Sequence, residues 1–199
     1  EQRLDDSSGS EAANRYGLAL AFIDARRTQR AIEHISWLLD RDPDNQLFRI
    51  LNGELLLAQK KTTEALAEFE MLHMSYGQST LVALAYADAL LKSEDSGDAA
   101  DAANILQNQL RRNPDDIRIT ELLAHAADRA GDPVRAAEAV ATNYYQRGGL
   151  PQAIEQLQRV LEREDLDYYD RARISAKLDQ MRVERMRTMP EAEQQSRRN

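Results

Sequence analysis

Residues 133 to 163 read PVRAAEAVATNYYQRGGLPQAIEQLQRVLER, and this stretch decides the fold of the chain. It divides at Gly148-Gly149 into two segments, each with the apolar periodicity of a helix. The stripes consist of Val140, Ala141 and Tyr144 in the first segment, and of Ala153, Leu157 and Val160-Leu161 in the second. Each helix is too short to be stable alone, so the two are expected to pack as an antiparallel hairpin and against neighbouring helices. We expect Tyr144 to fill space inside the hairpin.

Small residues recur along the chain, in several cases at a spacing of 34 residues. Ala65 follows Ala31 by 34 residues, and Gly53 follows Ala19 by the same number. This spacing resembles the tetratricopeptide repeat, a unit of about 34 residues with small residues where its two helices cross. The pattern predicts an all-α fold, namely a tetratricopeptide-repeat solenoid of about ten antiparallel helices with a C-terminal capping helix. An ordinary helical bundle is the alternative, and the recurrence disfavours it.

Turn sequences set the predicted boundaries of the repeats. Asp-Pro-Asp-Asn at 42–45 and Asn-Pro-Asp-Asp at 113–116 each end one helix and cap the next. The predicted units are 12–45, 46–79, 80–116 and 117–147, then a half-overlapping unit at 134–165 and a capping helix at 166–187. The overlap follows from Ala153, which lies only 17 residues after Ala136. Polar sequence predicts a flexible linker at 1–11 and a disordered tail at 188–199.

Composition excludes several classes of function. The 199 residues carry a net charge of -8 with a pI near 5.0, the wrong sign for binding nucleic acid or an anionic membrane. The absence of cysteine excludes disulfides, thiol nucleophiles and cysteine-ligated zinc. No apolar stretch approaches the roughly 18 to 20 residues of a transmembrane helix, so a soluble protein is expected. The chain begins with Glu1 and has no signal-like segment, which indicates a processed chain or an excised piece.

Motifs of catalysis and of cofactor binding are missing. His34, His73 and His125 lie on separate predicted helices, and the sequence has no HExxH, GxSxG, Walker or GxGxxG motif. We therefore predict no catalytic, cofactor-binding or metal-binding residue, and no enzymatic activity. A basic segment from Arg171 to Arg187 has six positive and two negative side chains. It either contacts an acidic partner or forms the solvated face of the capping helix.

The first helix of each unit is expected to line a concave groove. Its exposed positions are predicted to be Tyr16, Leu20, Ile23, Leu47, Ile50, Glu54, Leu57, Leu81, Leu84, Asp88, Lys92, Arg118, Glu121, His125 and Arg129. Such a groove would be apolar at its N-terminal end and charged further on, which favours capture of a peptide or protein, or contact with another domain. Alternatively, some of these leucines face the core. Tyr16 and Leu20 stand where chaperone-binding repeats carry the Lys and Asn of a carboxylate clamp, so that clamp is not expected.

Three segments resemble the C-terminal repeat domain of bacterial periplasmic zinc metalloproteases of the beta-barrel assembly-enhancing type. They are YGLAL at 16–20, NYYQRGGLPQAIEQL at 143–157 and DYYDRARISAKLDQMR at 167–182. The resemblance implies a non-catalytic periplasmic domain that packs against its own protease domain. It also implies binding to the beta-barrel assembly machinery and to outer-membrane protein clients. Zinc is expected only in a protease domain that this sequence lacks, so no cofactor is expected here. A freestanding tetratricopeptide scaffold is the alternative.

Overall fold

The computed structural model describes residues 2–93 and 95–188, and the regular structure in these ranges is entirely helical. Ten helices follow one another: α1 (Gln2–Asp24), α2 (Thr28–Arg41), α3 (Gln46–Ala58), α4 (Thr62–Tyr76), α5 (Thr80–Lys92), α6 (Ser96–Arg112), α7 (Ile117–Arg129), α8 (Pro133–Gln146), α9 (Leu150–Leu161) and α10 (Tyr168–Thr188). The number and order of these helices confirm the predicted all-α repeat fold.

Polar residues in the connecting turns begin the helices as predicted. Asn45 Oδ1 accepts a hydrogen bond from the backbone N–H of Leu47 at 3.1 Å, at the start of α3. Asp116 caps α7 in the same way, accepting from the N–H of Arg118 at 3.0 Å. These bonds satisfy backbone donors that the first turn of a helix leaves without partners. The two Pro-containing turns therefore end one helix and cap the next.

The chain divides into two compact units, Glu1–Glu94 and Asp95–Asn199, which we call unit 1 and unit 2. The division falls inside the third predicted repeat, 80–116, so that α5 belongs to unit 1 and α6 to unit 2. It lies in the acidic sequence SEDSGD at 93–98, in a repeat that is three residues longer than the preceding one.

The core of unit 1 depends on small residues at the helix crossings. Ala19, Ala31 and Ala65 have no exposed surface, and Gly53 is buried on α3. One apolar cluster joins α1, α2 and the near side of α3, and a second joins the other side of α3 to α4 and α5. Because α3 packs on both sides, apolar residues cover much of its circumference.

One apolar cluster of unit 2 joins α8, α9 and α10, and further buried residues such as Leu106 and Leu123 lie on α6 and α7. Ala141 and Ala153 are fully buried where α8 crosses α9, as their small size predicts. α10 completes this cluster with Ile174, Leu178 and Met181, which lie on one stripe of the helix. Tyr144, expected inside the hairpin, is instead 42% exposed because the closest approach of the helices is occupied by the alanines.

The start of the chain differs from the sequence-based expectation. Residues 2–11, predicted as a flexible linker, continue α1, which begins at Gln2. Ala12 and Tyr16 of α1 pack against the core of unit 1, and each further residue added to an existing helix gains a backbone hydrogen bond without a new nucleation cost. At the other end, Thr188 is the last residue of α10, and the rest of the predicted tail lies outside the described residues.

Candidate protein-binding groove

Five of the predicted groove residues converge on a single cavity in unit 1. Leu20 and Ile23 on α1, Glu54 and Leu57 on α3, and Lys92 on α5 line a space of about 520 Å³. Asp24, Arg26, Ala58 and Lys60 complete its walls. The cavity thus lies along α1, α3 and α5, the first helices of the successive hairpins. We call it the unit 1 groove.

Exposed leucines lie on the same helices at the opposite end. Leu47 is the second residue of α3 and Leu81 the second residue of α5, one 34-residue repeat apart in the sequence. Their side chains are 44% and 45% exposed. Tyr16 on α1 is half-buried and contacts Phe48, with 6.5 Å between the ring centroids. Leu84 on α5 is half-buried as well. An apolar surface of this kind favours contact with apolar side chains of a partner.

Ile50 was predicted in the groove, and this assignment is wrong. Its side chain is only 5% exposed and belongs to the cluster formed with Ala65, Phe69 and Leu72. The reason is that α3 packs against α4 as well as α1, and Ile50 lies on the side that faces α4 and α5. Ile50 stabilises unit 1 and offers almost no surface to a partner.

Glu54 is the principal ionisable group of the unit 1 groove. Burial is the largest effect on its carboxyl and raises the pKa, while Lys92 lowers that pKa, and Asp88 and Asp24 raise it. Lys92 Nζ lies 2.6 Å from Asp88 Oδ2 in an ion pair one helical turn apart. The pKa of the Tyr16 hydroxyl is raised mainly by burial and also by the charge of Glu54. The groove therefore combines apolar walls with charged side chains of both signs, and Glu54 is the half-buried one of its two carboxylates.

In the described part of unit 2, the predicted groove residues do not line the cavity that is described below. Arg118, Glu121, His125 and Arg129 are all exposed on α7. Arg118 pairs with Asp116 at 2.8 Å, and Glu121 accepts from the guanidinium of Arg147. Arg118 and Glu121 are therefore already engaged with neighbouring side chains of unit 2.

A cavity of about 780 Å³ in unit 2 lies along other helices, and the sequence prediction missed it. Leu110 on α6, Thr142 and Tyr145 on α8, and Lys177 and Met181 on α10 are among its lining residues, and none of the four predicted α7 residues is. The short spacing between Ala136 and Ala153 was the available signal. It makes α8 the first helix of a new hairpin, and α8 lines this cavity together with α6 and α10.

The polar side chains of this second cavity are engaged with one another. Lys177 Nζ donates to Thr142 Oγ1 at 2.7 Å and lies 3.6 Å from Glu138 Oε1. Burial lowers the pKa of Lys177, and Glu138 opposes that effect. The Tyr145 hydroxyl donates to Glu184 at 2.9 Å. Internal pairing of this kind indicates a structural network more than an open binding site.

The basic segment of α10 is also largely paired within the chain. Arg173 contacts Glu138 and Asp170, and Arg171 donates to the backbone carbonyls of Leu161 and Arg163. These contacts favour its interpretation as the face of a closing helix. Across residues 2–93 and 95–188, no group of three or more His, Cys, Asp or Glu side chains could hold a metal ion. In the same ranges no helix has the length and apolar character needed to cross a membrane.

Helical hairpins with small residues at their crossings, repeated every 34 residues, define a tetratricopeptide-repeat fold. The tetratricopeptide repeat family model matches residues 16–73. Among solved structures, a thermophilic tetratricopeptide-repeat protein of Thermus thermophilus covers 84% of this chain and 98% of its own, at 18% identity and a TM-score of 0.53. A MamA double mutant covers 88% of this chain and 96% of its own, at 16% identity and a TM-score of 0.56. Both likenesses support the fold.

Comparison of sequences identifies relatives of one particular kind, whereas the solved structures support only the fold. The chain is 29% identical over 180 residues to the beta-barrel assembly-enhancing protease of Escherichia coli K12, a match that spans 90% of this chain. It is 26% identical over 172 residues, 86% of its length, to the putative beta-barrel assembly-enhancing protease of Vibrio cholerae. These matches confirm the resemblance carried by the three segments. The chain spans only 36% and 35% of the two relatives, so it corresponds to a repeat region of those proteins.

Proposed function

We propose that this chain is the protein-binding repeat domain of a periplasmic metalloprotease with a chaperone role. In this proposal it engages the beta-barrel assembly machinery and outer-membrane protein clients through the unit 1 groove. One observation carries the proposal: residues of three successive first helices converge on a cavity flanked by exposed leucines, in a chain similar to beta-barrel assembly-enhancing proteases. The domain itself is non-catalytic.

The chemistry of such clients fits the groove. Strands of outer-membrane barrels alternate apolar and polar side chains, and before assembly their apolar side chains are not yet in lipid. An extended segment can place apolar side chains on Leu47 and Leu81 while its alternate polar side chains remain in water. The leucines therefore provide affinity for unassembled strands without requiring one sequence.

Site-specific photo-crosslinking in a Gram-negative host tests this proposal. A photoreactive residue at Leu81, on the exposed leucine surface of α5 beyond the groove, is compared with one at Met74, which is 71% exposed on α4, a helix that does not line the cavity. We expect adducts with outer-membrane proteins or with the assembly machinery from position 81 and far fewer from position 74. Equal adducts from both positions, or none from position 81, would contradict binding through this groove.

Attachment to a protease is tested separately, by the size of the native gene product in the fractionated source organism. An antibody raised against this chain is expected to detect a periplasmic protein well above 22.6 kDa, the mass of the chain itself. A band near 22.6 kDa would instead support the freestanding scaffold, and would leave the groove assignment unaffected.

A further inference from the structure

The unit 1 groove contains a carboxylate, that of Glu54, which interacts with Lys92 only through its charge and not through a direct ion pair. Glu54 is half-buried in the middle of α3 and lines the cavity together with Leu20, Ile23 and Leu57. Among the described residues, no hydrogen bond or ion pair includes its side chain, although ion pairs form elsewhere on the same helices. A carboxylate that loses part of its hydration without gaining a donor is destabilised. A cation brought by a partner would relieve that cost.

The charges around Glu54 favour a cation. Lys92 is the nearby positive charge, but its ammonium is held by Asp88 at 2.6 Å. Asp24 adds a second carboxylate to the cavity wall, and its charge, like that of Asp88, raises the pKa of Glu54. After the Lys92–Asp88 pair is counted as neutral, the carboxylates of Glu54 and Asp24 remain in the cavity wall, beside the exposed cations Arg26 and Lys60.

Two further cations line the cavity at helix ends. Arg26 and Lys60 are exposed and follow α1 and α3 in the left-handed backbone region, with φ values of 56° and 63°. An anionic ligand drawn to them would lie close to Glu54 and Asp24, which repel it. A cationic side chain of a partner can instead place its charge at Glu54 and its aliphatic stem against Leu20 and Ile23.

The exposed Leu47 and Leu81 each lie a fixed distance along the helix from an acidic residue of the groove region. Leu47 precedes Glu54 by seven residues on α3, which at 1.5 Å per residue is about 10 Å along the helix axis. Leu81 and Asp88 have the same separation on α5. An extended chain advances about 3.3 Å per residue, so about three residues of a bound segment span this distance.

We infer that the unit 1 groove selects an extended protein segment with a Lys or Arg side chain about three residues from a large apolar side chain. The cation pairs with Glu54, and the apolar side chain lies on Leu47 and Leu81. This specificity rests on the proposed function, namely that the groove binds proteins, and it adds the chemistry of the bound segment.

Selection of peptides on the 199-residue chain tests the inference. A phage-displayed library of random 12-residue peptides is selected on the wild-type protein, Glu54→Gln, Glu54→Lys and the control Glu70→Lys. Glu70 is exposed on α4 and does not line the cavity. Wild type and Glu70→Lys should enrich peptides with Lys or Arg about three residues from Leu, Ile, Phe or Met. Glu54→Lys should enrich Asp or Glu at that position instead.

One selected peptide is synthesised with a fluorophore, and its affinity for each variant measures how much Glu54 contributes to binding. A hydrogen bond to a charged group is worth about 1.5–3 kcal/mol, so Glu54→Gln should weaken binding by about tenfold or more in fluorescence anisotropy. The Glu70→Lys control should bind within about twofold of wild type, since surface charges distant from the ligand contribute little. Circular dichroism establishes that each variant is folded, and the near-isosteric Glu54→Gln decides the question if Glu54→Lys does not fold.

The failures are distinguishable. Enrichment of the same basic peptides on Glu54→Lys as on wild type, or of acidic peptides on wild type, overturns the charge assignment alone. Undiminished binding of the selected peptide to Leu81→Glu, or no enrichment on any form of the protein, overturns the groove as a protein-binding site and with it this inference.

Discussion

Replacing Gly53 by alanine should destabilise unit 1, although alanine is the better helix former. Gly53 lies inside α3, where a Cβ atom would come 2.5 Å from Cζ and 2.6 Å from Cε2 of Phe69. Real Cβ atoms essentially never approach a carbon so closely. Phe69 is 1% exposed on α4, so its ring has no free space to move into. The methyl group must therefore separate α3 from α4 or force the ring from its rotamer.

The magnitude follows from two opposing terms. Alanine gains about 1 kcal/mol over glycine in a helix interior. Overpacking of a buried contact costs about 1–3 kcal/mol, and a 2.5 Å approach to a rigid ring belongs at the upper end. The net expectation is a loss of about 1–2 kcal/mol in the free energy of unfolding. Gly17 is the matched control, because it is exposed inside α1 and a Cβ there has no atom within 4 Å. Gly17→Ala should stabilise by about 0.5–1 kcal/mol.

Urea unfolding followed by circular dichroism at 222 nm measures both variants. The midpoint should fall for Gly53→Ala and rise for Gly17→Ala. A double-mutant cycle adds Phe69→Leu, which should cost less in the Gly53→Ala background than in wild type because the new methyl group then occupies space left by the ring. If Gly53→Ala proved as stabilising as Gly17→Ala, the close packing of α3 on Phe69 would be refuted.

Three further predictions concern other parts of the structure. Burial lowers the pKa of His73 below 6.5, and its Nδ1 atom is buried without a hydrogen-bond partner. The unfolded chain therefore takes up this proton at higher pH than the folded one, so stability is complete above about pH 6.5 and falls as pH drops toward the lowered pKa. Thermal melts of His73→Leu should show a smaller loss between about pH 7.5 and 5.5 than wild type, and an equal loss would contradict this reasoning. Thr120 is fully buried and its hydroxyl donates to Gln146 Oε1 at 2.7 Å. Thr120→Val should therefore lower the free energy of unfolding by about 1–3 kcal/mol in urea. An unchanged midpoint would show that this hydrogen bond does not contribute to stability. Ile50→Glu should unfold unit 1 because it buries a charge without a partner, whereas Leu81→Glu should stay within about 0.5 kcal/mol of wild type and retain its helical circular dichroism.

The fold could be predicted because close helix crossings require small residues at regular positions in the sequence. Two backbones approach closely only where both side chains are small, and this requirement returns once in every repeat. Ala31, Ala65 and Gly53 satisfy it at the predicted places and are all buried. Turn residues such as Asn45 are a second signal in the sequence, since a helix N-cap needs a side chain that can accept a hydrogen bond at one position. These constraints act within one hairpin and are therefore visible in one sequence.

The groove could be predicted only in part because exposure depends on several neighbours at once. Leu47 and Ile50 are apolar, three residues apart on α3, and were assigned to the same groove. The structure leaves Leu47 exposed and buries Ile50, since α3 packs on two sides and only a narrow strip of it remains free. In unit 2 the cavity follows α6, α8 and α10, and α8 begins a new hairpin half a repeat early. A fixed 34-residue register could not place it.

The charge of the unit 1 groove, by contrast, depends on one position of the repeat, the one occupied by Glu54, and on the residue four places after it. Leu20, Glu54 and Asp88 are spaced by 34 residues and occupy equivalent positions on α1, α3 and α5. Four residues after Asp88 stands Lys92, and the two form an ion pair along the helix. Four residues after Glu54 stands Ala58, which cannot pair, so the same kind of acid remains available to a partner. The preference for a cation is therefore a property of the second repeat alone, and Ala58→Lys, by restoring the internal pair, should weaken binding of a basic peptide while leaving the leucines and the fold unchanged.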